Sequence, residues 1–253
     1  MEQFWSKLWR IILDSFFPAY CLGCKTEGNF LCSVCQKTTV RLEVQICPWC
    51  YLPTPSGRVC DRCREGAADI SERFLDGIFV FSRFEEHSLI QKAIHEMKYE
   101  FIAELSKPLG KLLAEELLRD MKKTFMQNHG EKIILCPLPL HRKRQQWRGF
   151  NQAELLCMSA AEQLHQAGFV DFEVVHLLER VHFSRPQMEL NRQERIKNIQ
   201  NSFAVRDVNI RRDEIIFIVD DIATTLSTLN SAAKVLKKAG FEHIYGLVLA
   251  RVF

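Results

Sequence analysis

Four C-x-x-C pairs lie close together in the first quarter of this 253-residue chain. A C-x-x-C turn directs two thiolates at one metal ion, and two such turns complete a tetrahedral sulfur site. Four pairs therefore predict two structural zinc ions, because four thiolates on one ion leave no open position for catalysis. The predicted metal ligands are Cys21, Cys24, Cys32, Cys35, Cys47, Cys50, Cys60 and Cys63.

The spacing of these pairs allows two ways of sharing two ions. Neighbouring pairs give one site from Cys21 to Cys35 and a second from Cys47 to Cys63, which we favour, but an interleaved arrangement also fits the spacing. Disulfides are the alternative chemistry, although the regular spacing and the absence of a secretory signal favour zinc in a reducing compartment. The segment has few large apolar side chains, so we expect zinc binding to supply its folding free energy.

The first 17 residues predict an amphipathic helix. Charged residues interrupt any signal-peptide core in this stretch, and no apolar run in the chain reaches the length of a membrane span, so a cytoplasmic protein is expected. We expect the apolar stripe to dock on the protein's own body, with a partner protein or the membrane surface as alternatives. Two i,i+4 rows form the stripe: Phe4, Leu8, Ile12 and Phe16, and Trp5, Trp9, Leu13 and Phe17.

A buried central strand is predicted at residues 215–219, where all five side chains are β-branched or aromatic. Asp220 and Asp221 follow, then small and hydroxyl-bearing residues up to Thr228, where a helix begins. Ligands of open α/β sheets bind outside the carboxyl ends of strands, where helix N-termini offer free N–H groups to phosphate. Carboxylates can accept hydrogen bonds from ribose hydroxyls, so a phosphate-plus-diol site is predicted. The plainer alternative is a strand end whose two acids cap the next helix.

The remaining main-domain pattern alternates strands with helices, which predicts an α/β fold with a parallel sheet. Cys136 and Cys157 lie in apolar runs of this pattern and are predicted to be inert core residues. The predicted strands are 77–84, 132–139, 173–178 and 244–252, and the predicted helices are 89–99, 103–121, 151–164 and 228–239.

A strongly basic stretch follows the predicted strand 132–139. Its cations, with Arg148 beyond them, fall in a predicted loop before a helix that has Asn151 as N-cap and Glu154 three residues later. Cations beside a helix N-terminus suit a polyanion, either pyrophosphate or a nucleic-acid backbone, and a solvated basic loop is the alternative. Aromatic residues lie near these and later cations: Trp147, Phe150 and Phe183.

These motifs resemble two known families. The segment from Asp213 to Thr228 resembles the phosphoribosyl-pyrophosphate (PRPP) motif of type I phosphoribosyltransferases: a hydrophobic strand, two acids, then x-x-T-T-G-x-T. Leu226 stands at the glycine position, and a γ-branched residue adopts a positive φ only with strain, so the sequence leaves catalysis open. The stretches P-L-P-L-H and R-G-F-N-Q-A-E-L-L, and the segment from Arg180 to Phe203, are similar to the ComF family of competence proteins.

The resemblance covers nearly the whole chain and implies a type I phosphoribosyltransferase-like parallel sheet flanked by helices, with a small N-terminal double zinc-ribbon module. The predicted divisions are residues 1–17, 18–66 and 74–253. By resemblance, the catalytic residues are Asp220 and Asp221. The implied PRPP-binding residues are Ala223, Thr224, Thr225, Leu226, Ser227 and Thr228. The implied pyrophosphate loop, which acts with Mg²⁺, consists of Leu140, His141, Arg142, Lys143 and Arg144. The implied flexible-loop or DNA-binding cations are Arg148, Arg185, Arg192, Arg195 and Lys197.

Three functions are compatible with these residues. The resemblance to the ComF family implies a PRPP-binding competence protein for natural transformation that handles incoming single-stranded DNA in the cytoplasm, with competence-machinery proteins as further partners. An active phosphoribosyltransferase with an unknown acceptor is the second hypothesis. The third makes the zinc ribbons and the N-terminal helix a docking module for other proteins, with the transferase domain as a scaffold that responds to its ligand.

Overall fold

Residues 18–65, 72–124, 132–169, 171–181 and 202–253 are described by a computed structural model. Five strands form one sheet in the order β1-β7-β6-β2-β3, and every neighbouring pair in it is parallel. Two short strands, β4 and β5, pair antiparallel beside it. The strands are β1 (Gly77–Arg83), β2 (Ile133–Pro137), β3 (Phe172–Val174), β4 (Leu178–Arg180), β5 (Phe203–Val205), β6 (Ile215–Ala223) and β7 (His243–Arg251).

Helices cover both faces of this sheet. Helices α3, α4 and α6 pack on one face, and helix α7 packs on the other. Seven α-helices are described: α1 (Ser33–Lys37), α2 (Asp61–Glu65), α3 (Leu89–Tyr99), α4 (Ser106–Thr124), α5 (Arg142–Arg148), α6 (Gln152–Gln166) and α7 (Ser227–Lys238), with short 3-10 helices at Pro55–Gly57 and Ala103–Leu105. No helix among the described residues combines the length and the apolar character needed to cross a membrane.

Strand β6 occupies the middle of the sheet, as the apolar run predicts. Ile216 and Ile218 contact the core under α7, whereas Phe217 and Val219 contact the core under α3, α4 and α6. Successive side chains of a strand point to opposite faces, so a strand covered on both sides must be apolar at every position. The predicted α/β architecture with a central parallel sheet is confirmed.

The cysteine-rich segment lies against the outer edge of β1. The Gln45 amide forms two hydrogen bonds of 2.9 Å with the Val80 backbone, one to its N–H and one to its carbonyl. The Leu42 N–H donates to the Phe81 carbonyl at 2.7 Å. An edge strand exposes unpaired backbone groups, so these contacts close the sheet on this side. The zinc-binding segment is therefore packed on the sheet domain.

One predicted loop is a helix. The basic stretch after β2 forms α5, which His141 caps by accepting a hydrogen bond from the Lys143 N–H through its Nδ1 atom. Arg, Lys and Gln are good helix formers and fill most of this segment, and Gly149 ends the helix in the left-handed region at a φ of 82°. The loop prediction was wrong, because the helix propensity of these residues outweighs the repulsion between their charges. The helix predicted for residues 1–17 lies outside the described residues.

Candidate functional site

Two carboxylates lie at the C-terminal end of the central strand β6. Asp221 is 2% exposed, while Asp220 is half-buried. The Asp220 carboxylate accepts a hydrogen bond from the Asp221 N–H at 2.9 Å, and the Asp221 carboxylate accepts one from the Ile222 N–H at 2.7 Å. Neither acid caps α7, which begins at Ser227. The plain helix-cap interpretation of these acids is therefore wrong.

Lys98 neutralises the buried carboxylate. Its Nζ atom, at the end of α3, lies 2.7 Å from Asp221 Oδ2. That oxygen is buried, yet no donor among the described residues meets it with hydrogen-bond geometry, so the lysine contributes charge rather than a directed bond. A buried carboxylate oxygen without a directed donor is a place where a ligand hydroxyl or a cation can bind favourably.

Two arginines complete the charged surroundings of the acids. Arg148 is buried, and its Nε atom donates to the Lys98 carbonyl at 3.0 Å. Burial lowers the pKa of Arg148, while the Asp221 carboxylate opposes that shift. Burial and the neighbouring Arg144 also lower the pKa of Arg180, and Asp220 opposes it. Cations from α3, α5 and β4 therefore converge on two acids of β6.

The environment of Asp220 favours its neutral form. Burial, together with the negative charge of Asp221, raises the pKa of Asp220 to about 8, although Lys98 acts in the opposite direction. An unfolded aspartate titrates near a pKa of about 3.9. Between these two values the folded chain binds more protons than the unfolded chain, so this group makes the fold less stable as pH rises through that window.

Asp220→Asn is therefore expected to stabilise the fold at pH 8 and to have little effect near pH 4. The asparagine oxygen can still accept the Asp221 N–H, and the side chain no longer has to retain a proton. Thermal melts of both proteins across this pH range measure the difference. A constant difference in melting temperature, or a wild type that gains stability relative to the variant as pH rises, would contradict the assignment.

The chain after the acids offers hydroxyls and free backbone N–H groups. Thr224, Thr225 and Ser227 are exposed, and the hydroxyls of Thr225 and Ser227 lie 2.8 Å apart. Helix α7 then runs for 12 residues, and no side chain caps its first turn. Uncapped N–H groups at a helix N-terminus suit an anion. The segment from Ala223 to Thr228 thus combines hydroxyl donors with the N-terminus of a helix at one end of the sheet.

Leu226 adopts the conformation for which glycine is preferred. Its φ is 59° and its ψ is −5°, in the left-handed region. The side chain is 4% exposed and packs in the core beneath α7. The left-handed conformation costs a non-glycine residue about 1–2 kcal/mol, and burying a leucine side chain contributes about 1.5–3 kcal/mol. Packing thus offsets the strain that the sequence predicts, and the loop keeps a positive φ at this position.

This balance predicts an unusual order of stability for two variants. Leu226→Ala removes the buried side chain and keeps a Cβ atom in the strained conformation, so we expect a loss of about 2–5 kcal/mol. Leu226→Gly loses the same packing but relieves the strain, so it should be more stable than the alanine variant by about 1 kcal/mol. Urea denaturation measures both. Greater stability of the alanine variant, which is the usual order, would show that φ is not positive here.

The basic residues predicted to bind pyrophosphate or DNA are only partly described. Arg142, Lys143 and Arg144 are exposed on α5, and Leu140 and His141 precede that helix with partial exposure. Asn151 caps α6 by accepting from the Ala153 N–H at 3.1 Å and donates to the Leu138 carbonyl at 3.1 Å, which holds the turn between α5 and α6 near the end of β2. The predicted loop cations Arg185, Arg192, Arg195 and Lys197 lie outside the described residues.

Sequence reasoning missed two cations of this site. Lys98 ends an amphipathic helix, where a lysine is expected simply because it complements the helix dipole. Arg180 belongs to the segment that resembles the ComF family, but no pattern in the sequence assigns it a specific role. Lys98 and Arg180 come near the acids only because the fold brings α3 and β4 to the end of β6. A pairing of this kind leaves no local signal in the sequence.

The eight predicted metal ligands form two clusters. One contains Cys21, Cys24, Cys32 and Cys35, the other contains Cys47, Cys50, Cys60 and Cys63, and within each cluster all four sulfur atoms lie within 4.8 Å of one another. The predicted pairing of neighbouring C-x-x-C motifs is therefore confirmed, and the interleaved alternative is wrong. All ten cysteines are free.

The geometry of both clusters fits zinc. The Sγ atoms of Cys24 and Cys32 lie 3.7 Å apart and those of Cys50 and Cys60 3.5 Å apart. Tetrahedral Zn–S bonds of about 2.3 Å require sulfur atoms about 3.8 Å apart, whereas a disulfide requires about 2.05 Å. The backbone N–H groups of Cys32 and Cys60 also donate to a cysteine sulfur, which stabilises thiolates. These eight cysteines would hold two zinc ions as structural crosslinks.

Comparison with known proteins agrees with both parts of the chain. A family described as a double zinc ribbon domain matches residues 12–64. DNA utilization protein YhgH of Shigella flexneri is 30% identical over 239 residues, which cover 92% of this chain and 97% of that protein. Competence protein F of Haemophilus influenzae is 29% identical over 246 residues, which cover 94% and 99%. The chain belongs to the ComF family. Within this family, competence protein ComFC of Streptococcus pneumoniae is 28% identical over 230 residues, 90% of each chain.

Membership of the ComF family confirms the resemblance that the motifs indicate. The fold agrees with it too, because a parallel sheet flanked by helices carries an N-terminal double zinc ribbon with two four-cysteine clusters. The similarity to these relatives extends over the zinc ribbons and the sheet domain together.

Proposed function

We propose that this chain is a PRPP-binding competence protein that handles incoming single-stranded DNA in the cytoplasm. The names of its relatives, competence protein F, competence protein ComFC and DNA utilization protein YhgH, support the role in competence. One observation carries the ligand assignment: at the end of β6, Asp220 and Asp221 lead directly into an exposed hydroxyl-rich loop and the uncapped N-terminus of α7. Acids suit a ribose diol, and a helix N-terminus suits a phosphate.

The three parts of PRPP would each have a partner in this arrangement. Asp220 and Asp221 would accept hydrogen bonds from the ribose hydroxyls, and the segment 223–228 would bind the 5′-phosphate with its hydroxyls and N–H groups. The pyrophosphate, with Mg²⁺, would lie toward residues 140–144. Because Arg148 and Lys98 already neutralise part of the charge of the acids, the site can accept an anionic ligand beside two carboxylates.

Helix α5 supports the assignment to single-stranded DNA. Arg142, Lys143 and Arg144 are exposed cations in the first turn of α5, and Trp147 is exposed on the next turn. Backbone phosphates bind such cations with release of counterions, so the logarithm of the affinity should fall with the logarithm of the salt concentration by about 0.7 per phosphate contact. Phe150, a second predicted aromatic neighbour, instead packs against the core, and Phe183 lies outside the described residues.

A salt titration of single-stranded DNA binding tests this part of the proposal. Arg142→Gln should reduce the salt slope by about 0.7 and weaken binding to all sequences alike. Lys238→Gln is the matched control, because Lys238 is an exposed cation at the opposite end of α7 from the acids. Binding that is undetectable, or that does not change with salt, would refute a role in handling DNA.

An active phosphoribosyltransferase is the second candidate, and the conformation of Leu226 favours it, because the loop keeps a positive φ without glycine. The reaction would break the bond from the anomeric carbon to pyrophosphate and form a bond from that carbon to an acceptor nitrogen, with pyrophosphate leaving. The cationic, sugar-centred transition state would be stabilised electrostatically by the acids. A screen of purine, pyrimidine and pyridine acceptors for pyrophosphate release tests it, and no release with any acceptor would reject it.

A further inference from the structure

Three aromatic side chains form an exposed cluster beside the acidic site. Tyr99 is 51% exposed, Phe101 is 42% exposed and Trp147 is 58% exposed. The ring centre of Trp147 lies 5.0 Å from that of Phe101 and 6.3 Å from that of Tyr99. We call these three residues the aromatic platform. Large exposed apolar rings that are grouped rather than scattered indicate a binding surface.

The backbone of the platform is strained where one ring projects. Phe101 has a φ of 59°, in the left-handed region that a bulky residue rarely adopts. Leu226 has the same φ, but its side chain is buried and packing offsets the strain. Phe101 remains 42% exposed, so burial of its side chain offsets less of the backbone strain than burial of Leu226 does. Strain without matching burial is typical of residues that are held in place for a ligand.

The platform adjoins cations that have no carboxylate partner in the described part of the chain. Arg142, Lys143 and Arg144 precede Trp147 on α5 and are exposed. The ion pairs among the described residues involve other cations, such as Lys98 with Asp221 and Lys237 with Asp76. Aromatic rings next to unpaired cations are complementary to a ligand that has both flat faces and negative charge.

Sequence adjacency places the platform at the rim of the acidic site. Tyr99 directly follows Lys98, whose ammonium pairs with Asp221. Trp147 directly precedes Arg148, which donates to the Lys98 carbonyl. Lys98 pairs with Asp221 and Arg148 is buried beside Lys98, while their aromatic neighbours Tyr99 and Trp147 lie exposed to solvent. A chain bound on the platform would therefore pass the entrance to the acids.

We propose that the aromatic platform stacks unpaired bases of single-stranded DNA whose phosphates lie along the cations of α5. This inference rests on the proposed function for the identity of the strand, and it adds how the bases are held. Base stacking on aromatic side chains is tolerant of sequence, and unpaired bases expose the faces that it requires. Duplex DNA hides those faces, so the platform would select single strands.

Binding of a labelled oligothymidylate and of an abasic strand of equal length tests the platform. For the base-bearing strand, Trp147→Ala should weaken binding by about 5- to 100-fold, and Trp147→Phe should retain most of the affinity. The abasic strand should bind more weakly than oligothymidylate to the wild type and should not respond to Trp147→Ala. Met158→Ala is the matched control, since Met158 is also 58% exposed but lies on α6 away from the platform, and it should change nothing.

Phe101→Gly separates binding from folding. Phe101→Ala and Phe101→Gly both remove the ring, but only glycine adopts a positive φ without strain, so the glycine variant should melt higher than the alanine variant while both bind oligothymidylate several-fold more weakly. A glycine variant that melts lower than the alanine variant would overturn the role given to the strain at Phe101.

The remaining outcomes separate this proposal from the proposed function. Equal binding of both strands, unchanged by Trp147→Ala, would overturn the platform and leave DNA handling by α5 intact. No binding of either strand would overturn both. If sedimentation shows a wild-type dimer that Trp147→Ala converts to a monomer, the surface is a contact between two copies of this chain and the platform is overturned.

Discussion

Cys21→Ser is expected to reduce the zinc content from two ions to one per chain and to destabilise the sheet domain together with the first ribbon. Cys21 is fully buried, and with Leu31 and Cys35 it belongs to the same core cluster as Phe79 and Phe81 of β1. Zinc binding to such small sites contributes about 10–16 kcal/mol of apparent free energy at neutral pH. Loss of the ion therefore removes packing from one face of the sheet as well as a metal.

Metal analysis and thermal unfolding followed by circular dichroism measure these two effects. Cys157→Ala is the control, because Cys157 is equally buried but lies in neither cluster. Burial raises the pKa of the Cys157 thiol well above its usual range, which makes it a poor metal ligand. The control should keep two zinc ions. A Cys21→Ser protein that loses one ion and melts at the wild-type temperature would show that the ribbon and the sheet fold independently.

Lys98→Met is the second substitution with a large expected effect, a loss of about 3 kcal/mol at neutral pH. The variant leaves Asp221, which is 2% exposed, without its ion-pair partner, and removing one member of a buried pair costs about 3–5 kcal/mol. Lys98 itself is partly exposed, so the effect should fall at the lower end of that range. The measurement is chemical denaturation.

A double-mutant cycle identifies the cause of that loss. Asp221→Asn in the Lys98→Met background removes the uncompensated charge, so it should restore most of the stability. Lys92→Met is the control on the same helix, because Lys92 is exposed and donates to the Leu22 carbonyl at 3.4 Å. It should change stability by less than about 0.5 kcal/mol. Additive effects of the Lys98 and Asp221 substitutions would show that the two side chains do not form an ion pair in solution.

The docking-module hypothesis predicts that a chain without its first 66 residues loses its partner proteins. Arg251, at the end of β7, is 1% exposed and donates to the Pro48 carbonyl at 2.6 Å. Its guanidinium also lies 4.7 Å from the ring centre of Tyr51. Deleting the first 66 residues would strip these partners from a buried cation and uncover the edge of β1. A truncated chain would therefore lose stability, and that loss would have to be measured before any loss of partners is interpreted.

The sequence was sufficient to predict features that depend on local patterns. C-x-x-C spacing identified both zinc clusters and their pairing. The unbroken apolar run identified β6 and its central position, and the residues after it identified where the acids lie. These predictions succeed because each rests on a short segment whose chemistry has few structural solutions.

Features that depend on distant segments could not be predicted from the sequence. Lys98 meets Asp221 across 123 residues of chain only because α3 ends near the end of β6. Tyr99 and Phe101 contact Trp147 because the end of α3 also lies near α5 in the fold. In the sequence, only Trp147 has basic neighbours that indicate a binding role. At Leu226 the sequence predicts the backbone strain, but it does not predict the core contact that offsets this strain. Tertiary packing decides each of these outcomes.

The measurement that tests the central claim most directly is a melting titration with PRPP and Mg²⁺ for the wild type and for Asp220→Asn. A ligand at about a hundred times its dissociation constant stabilises a fold by about 2.7 kcal/mol, which corresponds to roughly 5–10 °C for a chain of this size. At pH 9, above the pKa of about 8 of Asp220, we expect this shift in the wild type and a much smaller one in Asp220→Asn, because the variant folds without that carboxylate. No shift in the wild type, or an equal shift in both proteins, would contradict a PRPP site at the end of β6.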